Sequence, residues 1–441
     1  MESIKDAGGI PSRTTTLTFS HKFKRALFKN TLPQSLTALT LSDGFVGQLR
    51  AGTLPSSLIT LTFGRNYNQR IGPGVLGNSL LRLEFGWKFN QEFQPGVLPA
   101  SLTELILCSC FAQLIGGGRL PSGLLSLTFG PQGSFTDKPV TKDTLPKSLT
   151  RLILGNQPNI LTDPSVLPKS ITELGTRHVY KTTDLTLLKT LTIESGEEKP
   201  LRLEKIPETV TALSLSFRNH EIPMSPTFLP QTLTSLYLQE GWVTKTLKDL
   251  PNSVIKLSIS GYRQITFDGL PESLESMMIS VHGMYNFTKP IPLTLTSLKV
   301  NTSFDLQRTL NKLPPKLENL SIPKWPKSLA SSVCHLTVQC RTVGTNLPPI
   351  PLDNQLSSLT VVTDTCGNVF DRYRSLSRMV PNVSVYHLEH SVYRGVPGRT
   401  SIGKIDDGRI VIITQLPGDA NVVSFSSFSN YNNNTESLYK V

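Results

Sequence analysis

The decapeptide Leu32-Pro33-Gln34-Ser35-Leu36-Thr37-Ala38-Leu39-Thr40-Leu41 decides the fold, because it recurs. It opens on Leu-Pro and carries apolar residues at its fifth, eighth and tenth places. The pattern returns at Leu54, Leu76, Leu98 and Leu120, each 22 residues after the last, and already stands 22 residues earlier at Ile10. Later units begin at Leu145, Leu167, Ile206, Leu229, Leu250, Leu270, Ile291 and Leu313. Three weaker ones, at Asp184, Leu329 and Leu352, keep the apolar spacing but lose the Leu-Pro pair. Intervals stay between 16 and 25 residues, a period that marks a solenoid.

The physics of one unit explains the pattern. Apolar residues alternating with Thr make a strand with one buried face. Proline has no N–H and suits a turn or an edge. Gly64, Gly86, Gly130 and Gly155 follow the strand, where a small residue lets the chain turn away. Phe45, Tyr67, Phe89 and Phe111 come next and fold back over the same core. A single unit buries too little apolar surface to offset its ordering entropy, so units must stack until their leucine rows are continuous. Leu36, Leu39, Leu58, Leu61, Leu80, Leu83, Leu102 and Leu105 are the structural positions of those rows. No unit holds a ten-residue stretch with helical spacing. The expected fold is a leucine-rich-repeat-like solenoid of about 17 coils of roughly 22 residues, with a parallel sheet on one side and little helix.

Composition agrees. Only 38% of the 441 residues are apolar and 17% charged, so neither a conventional globular core nor a disordered polyelectrolyte is indicated. The net charge of +12 admits an acidic partner, but no nucleic-acid-binding motif accompanies it. The densest basic cluster, His21-Lys22-Phe23-Lys24-Arg25 with Lys29, falls inside a repeat and reads as a solvated coil face. Five cysteines without a signal-peptide pattern favour a reducing compartment, cytoplasmic or nuclear. No apolar run is long enough to span a membrane.

Two consecutive units read Gly64-Arg65-Asn66-Tyr67-Asn68-Gln69-Arg70-Ile71 and Gly86-Trp87-Lys88-Phe89-Asn90-Gln91-Glu92-Phe93, with a degraded copy from Asn286 to Ile291. After a Leu-Pro-x-Ser-Leu strand, this resembles the FNIP repeat, a leucine-rich-repeat-like family abundant in dictyostelid amoebae. The resemblance covers residues 10–361 and implies a protein-binding array. In leucine-rich repeats a buried Asn bonds the backbone of neighbouring coils. Here Asn68 and Asn90 occupy that place, flanked by Val46 and Ala112, so any such ladder is local. Other coils need another device, and Ser35, Ser57, Ser79, Ser101, Ser148, Ser170, Ser253 and Ser273 are expected to satisfy buried turn amides.

The expected organisation is a tail over residues 1–9, the solenoid over 10–363, a C-terminal cap over 364–423 and a disordered tail over 424–441. The cap would hold a short helix from Phe370 to Arg378, one strand, and a hairpin around Asp406-Asp407-Gly408.

No catalytic, cofactor or metal motif is found. Cys108-x-Cys110 is poor metal spacing, Cys334-His335 with Cys340 lies on a repeat strand, and His387-Leu388-Glu389-His390 lacks the offset of a zinc-protease helix. Gly116-Gly117-Gly118 has no phosphate-binding Lys after it and reads as a turn. What remains is the outward face of the sheet, at the seventh and ninth places. Arg82, Glu84, Glu104, Arg151, Tyr237, Lys256 and Lys299 are the candidate partner-binding residues there. The partner expected is a protein, with an anion or a nucleic acid on the basic surface as the alternative.

Overall fold

Each of the first coils is one short strand and three turns. In the coil that opens at Leu32, the N–H of Leu36 donates to Pro33 O at 3.2 Å, that of Phe45 to Ser42 O at 3.1 Å, and that of Thr53 to Arg50 O at 3.0 Å. Proline is the first residue of its turn, where only its carbonyl is used. The same three bonds recur one repeat later at Leu58, Tyr67 and Val75. Three turns in 22 residues leave no room for a helix, and none of the described residues is α-helical.

The computed structural model describes residues 10–130, 144–155, 166–176, 184–195, 206–217, 228–239, 246–300, 313–339 and 356–363 apart from isolated positions, and strands between 385 and 440. These residues fall into two units, Met1–His220 with Thr227–Leu233, and Glu221–Pro226 with Thr234–Val441.

The first unit holds β1 (Thr16–Thr18), β2 (Ala38–Thr40), β3 (Thr60–Thr62), β4 (Arg82–Glu84), β5 (Glu104–Leu107), β6 (Ser126–Phe129), β7 (Arg151–Ile153), β8 (Glu173–Thr176), β9 (Thr190–Ser195) and β10 (Ala212–Phe217). Each pairs in parallel with the next. The register is one whole repeat, so Leu61 lies between Leu39 and Leu83. Leu36, Leu39, Leu58, Leu61, Leu80, Leu83, Leu102 and Leu105 are all buried. Each such side chain contributes about 1.5–3 kcal/mol. Behind them runs a stack of rings. Phe23, Phe45, Tyr67, Phe89 and Phe111 follow one another at centroid distances of 6.5, 6.0, 6.3 and 6.2 Å, with planes within 11° of parallel. Phe63 and Phe85 form a second short stack at 5.0 Å.

The second unit holds β11 (Ser235–Gln239), β12 (Thr246–Leu247), β13 (Lys256–Gly261), β14 (Ile265–Phe267), β15 (Ser276–Val281), β16 (Tyr285–Phe287), β17 (Ser297–Val300), β18 (Asn319–Ile322), β19 (His335–Gln339) and β20 (Ser358–Thr363). β11, β13, β15, β17, β18, β19 and β20 pair in parallel in that order. β12, β14 and β16 make a small parallel sheet of their own. The degraded FNIP-like stretch from Asn286 begins inside β16, and Thr288 Oγ1 within it also donates to Phe267 O of the preceding coil at 3.2 Å. Beyond β20 come β21 (Val385–Val392), parallel to it, and then β22 (Val396–Asp406), β23 (Arg409–Gln415) and β24 (Asn421–Ser427), each antiparallel to its predecessor. The helix expected from Phe370 to Arg378, and Asn432 to Asn434, lie outside the described residues.

The serine column corrects an expectation. The hydroxyls of Ser35, Ser57, Ser101, Ser148, Ser170 and Ser273 do turn to the preceding coil, but they donate to carbonyls there. Ser57 Oγ donates to Leu36 O, Ser101 to Leu80 O and Ser170 to Leu149 O, at 2.7–2.8 Å. Thr232 and Thr294 do the same to Val210 O and Leu274 O. The amides are already used in turns and in the ladder; what the turn leaves over is carbonyl capacity, and a hydroxyl supplies the donor.

Candidate partner-binding face

Strand alternation puts the seventh and ninth places of each coil on the outside of the sheet. In the first unit Arg82 lies between Thr60 and Glu104, and Arg151 between Ser126 and Glu173. Arg82 is paired with Glu104 and, at 3.2 Å, with Glu84. Arg151 reaches Glu173 at 3.0 Å and donates to Thr128 Oγ1 at 2.9 Å. Sequence reasoning missed Glu173, although adding one repeat to Arg151 leads to its coil. Across β1 to β8 the outward rows carry Arg82 and Arg151 against Glu84, Glu104 and Glu173, with Thr and Ser at most other places. The charge of this face is therefore close to balance, and the net +12 lies elsewhere.

In the second unit Tyr237 lies opposite Ser258, its hydroxyl 3.5 Å from Ser260 Oγ. Lys256 sits between Ser235 and Ser276, and Lys299 between Met278 and Ser321; both are exposed. The candidate residues thus form separate groups on the two units.

The asparagines act on the return side. Asn68 Oδ1 accepts from the N–H of Asn90 at 2.9 Å and from Gln91 Nε2 at 3.0 Å. Asn90 Oδ1 does the same for Ala112 and Gln113. Each Asn serves the following coil, so Ala112 receives a rung without supplying one. Asp43 adds an unforeseen contact, accepting from Arg65 N–H at 2.8 Å.

Cys108 is buried and its thiol donates to Phe89 O at 2.9 Å. Burial pushes its pKa up, so it is a poor nucleophile and a structural thiol. His335 Nδ1 lies 2.8 Å from Ser358 Oγ, and Cys340 is outside the described residues. Among the described residues no group of three or more His, Cys, Asp or Glu is placed to hold a metal ion, and no helix is long and apolar enough to cross a membrane.

A family model for the FNIP repeat matches residues 6–44, 45–88, 67–110 and 137–175. The chain carries FNIP repeats. A solved structure described as CroV588, a novel circular LRR protein, is 26% identical, with a TM-score of 0.53 over 86% of this chain. The chain spans 60% of the length of that protein. No curated protein matches it. The FNIP repeats are therefore a leucine-rich-repeat-like parallel solenoid, and the outward rows correspond to the sheet face of that fold class.

Tyr67, in the ring stack of the FNIP coils, has a fully buried hydroxyl with no hydrogen-bond partner among the described residues. Burial raises its pKa well above the ordinary phenol range. The neutral form is the one the fold accepts, so its contribution holds below pH 10 and is lost as alkali ionises the unfolded chain. Tyr67→Phe removes the orphaned hydroxyl and is expected to raise stability at neutral pH by about 1 kcal/mol. It should also flatten the alkaline fall in melting temperature. Denaturation followed at neutral and alkaline pH checks both; a loss of stability at neutral pH would contradict the reading.

Proposed function

We propose that this FNIP-repeat chain is a non-catalytic scaffold that holds a protein partner on the outward face of its sheet. The observation that carries the proposal is the set of cross-coil pairs Arg82–Glu104 and Arg151–Glu173 within rows of Thr and Ser. A guanidinium oriented by a carboxylate on the next strand presents its remaining donors in a fixed fork, so little is lost in ordering it on binding. The near balance of charge suits a mixed polar protein surface and not a polyanion. Solenoids of this class use the same face for partners. A cytoplasmic or nuclear setting is in keeping with the free thiols of Cys108, Cys110 and Cys334.

Affinity capture with mass spectrometry identifies the partner, and substitution then tests the face. Arg82→Ala and Arg151→Ala are each expected to weaken capture about 30-fold, the effect of a hot-spot residue. The melting temperature should barely move, because half-exposed ion pairs contribute little to stability. Tyr237→Ala, with Lys256→Ala and Lys299→Ala, asks the same of the second unit. Undiminished capture by all five variants would remove the sheet face as the binding surface.

A further inference from the structure

The charge that the sheet face lacks is concentrated on the return side of the first coils. Residues 19–97 contain nine Lys and Arg against three Asp and Glu, half of the net +12 of the whole chain. Within that stretch one bend stands out. Residues 24–30, 46–52 and 68–74 hold equivalent places in three successive coils, aligned by the stack of Phe23, Phe45 and Tyr67. They include Lys24, Arg25, Lys29, Arg50 and Arg70, all exposed, and no Asp or Glu.

Their lysine stems lie along the neighbouring coil. A Cβ on Gly44 would meet Lys24 Cγ at 3.0 Å, and one on Gly52 would meet Lys29 Cδ at 3.7 Å. The apolar stems are thus partly covered while both residues stay exposed. Two large apolar side chains project among these cations. Phe28 is 67% exposed and stands one repeat before Arg50; Val46 is 50% exposed and stands between Lys24 and Asn68 in register. Phe28 opens a turn that is closed by the bond from Thr31 N–H to its carbonyl. By contrast, the exposed ring of Trp87, in the fourth coil, is covered by the guanidinium of Arg65 at 5.6 Å.

Exposed apolar side chains cost free energy in water, and neighbouring exposed cations such as Lys24, Lys29, Arg50 and Arg70 add a cost by mutual repulsion. Both costs vanish on one kind of surface. We propose that this bend of the first three coils docks on an anionic lipid bilayer, with Phe28 and Val46 entering the interfacial layer and Lys24, Lys29, Arg50 and Arg70 meeting headgroup phosphates. A nucleic acid fits the charge but less of the rest. Single strands are held on successive aromatic platforms, and this bend offers one exposed ring beside an aliphatic side chain.

The full chain should co-sediment with vesicles of phosphatidylcholine mixed with phosphatidylserine and not with phosphatidylcholine alone. Lys29→Ala with Arg50→Ala should lower partitioning about 25-fold, or about fivefold per cation, an effect that fades as salt is raised. Phe28→Ser should lower it about tenfold at any salt. Lys147→Ala with Lys169→Ala, which removes the same charge elsewhere on the first unit, should bind as the parent does. Unaltered far-ultraviolet circular dichroism checks that the exposed substitutions leave the fold intact. The proposal is overturned if the parent ignores phosphatidylserine, or if the control pair weakens binding as much as the test pair. Tight binding of a labelled oligonucleotide without binding of vesicles would overturn it in favour of nucleic acid.

Discussion

Gly86→Ala is expected to cost the first unit about 4 kcal/mol or more, seen as a fall of about 10 °C in its melting transition. The reason is space and not conformational freedom. A Cβ at Gly86 would lie 2.2 Å from Gly64 O and 2.8 Å from Arg65 Cα, and a Cβ at Gly64 would lie 2.0 Å from Ser42 O. These are backbone atoms of the preceding coil, held by the turn bonds from Tyr67 N–H to Gly64 O and from Phe45 N–H to Ser42 O, and cannot swing aside as a side chain does. The coils would have to separate, which breaks the stacking of Phe63 on Phe85 and of Tyr67 on Phe89. Gly96 gives the contrast. Its φ is +78° and a Cβ there meets nothing within 4 Å, so alanine should cost only about 1–2 kcal/mol of backbone strain. Gly96→Asn should cost less still, because Asn30 holds the equivalent place with φ 64°. Equal losses at Gly86 and Gly96 would show that close approach is not what selects glycine after the strand.

Phe89→Ala should destabilise by about 3–5 kcal/mol, the usual result of emptying a buried aromatic site. Phe89 contacts Tyr67, Phe85, Phe93 and Phe111, at centroid distances of 6.3, 3.8, 5.5 and 6.2 Å. Its removal interrupts the stack midway, so the loss should couple to substitutions one coil away. Phe111→Ala in the Phe89→Ala background should cost less than in the parent, since the two rings share a contact. Calorimetric or chemical denaturation of the four proteins measures that coupling. Additive losses would mean that each ring is held by its own coil alone.

Both predictions rest on positions the repeat brought to notice, but for reasons that spacing could not supply. Gly64 and Gly86 read as turn glycines. In the first four coils the residues that adopt left-handed backbone are instead Asn30, Gly52, Gly74 and Gly96, two places before the Leu-Pro position, although Gly155, in the post-strand column, has φ 54°. The 22-residue register shows that column too, once it is scanned for glycine and asparagine together. The ring column of Phe45, Tyr67, Phe89 and Phe111 was legible from the first, because burial in a stacked coil follows from period and hydrophobicity alone.

The serine column was legible as a column and not as a bond. Whether a hydroxyl gives or accepts depends on which backbone groups the turn leaves unsatisfied, and that appears only when Ser57 stands next to Leu36 O. The outward residues were legible as a face. Their pairing was not, since Glu173 becomes the partner of Arg151 only through the register between β7 and β8.

The amino-acid sequence by itself determined the solenoid, its strand side and its leucine rows, because a repeated unit that cannot bury its own apolar face has one economical way to do so. The tertiary structure alone decided how closely the coils approach, and hence why Gly86 cannot carry a side chain. It also decided that the sheet face is nearly neutral, while the basic charge gathers around Phe28 on the opposite bend. Those are properties of distance between residues 22 apart, and distance is what a linear pattern does not carry.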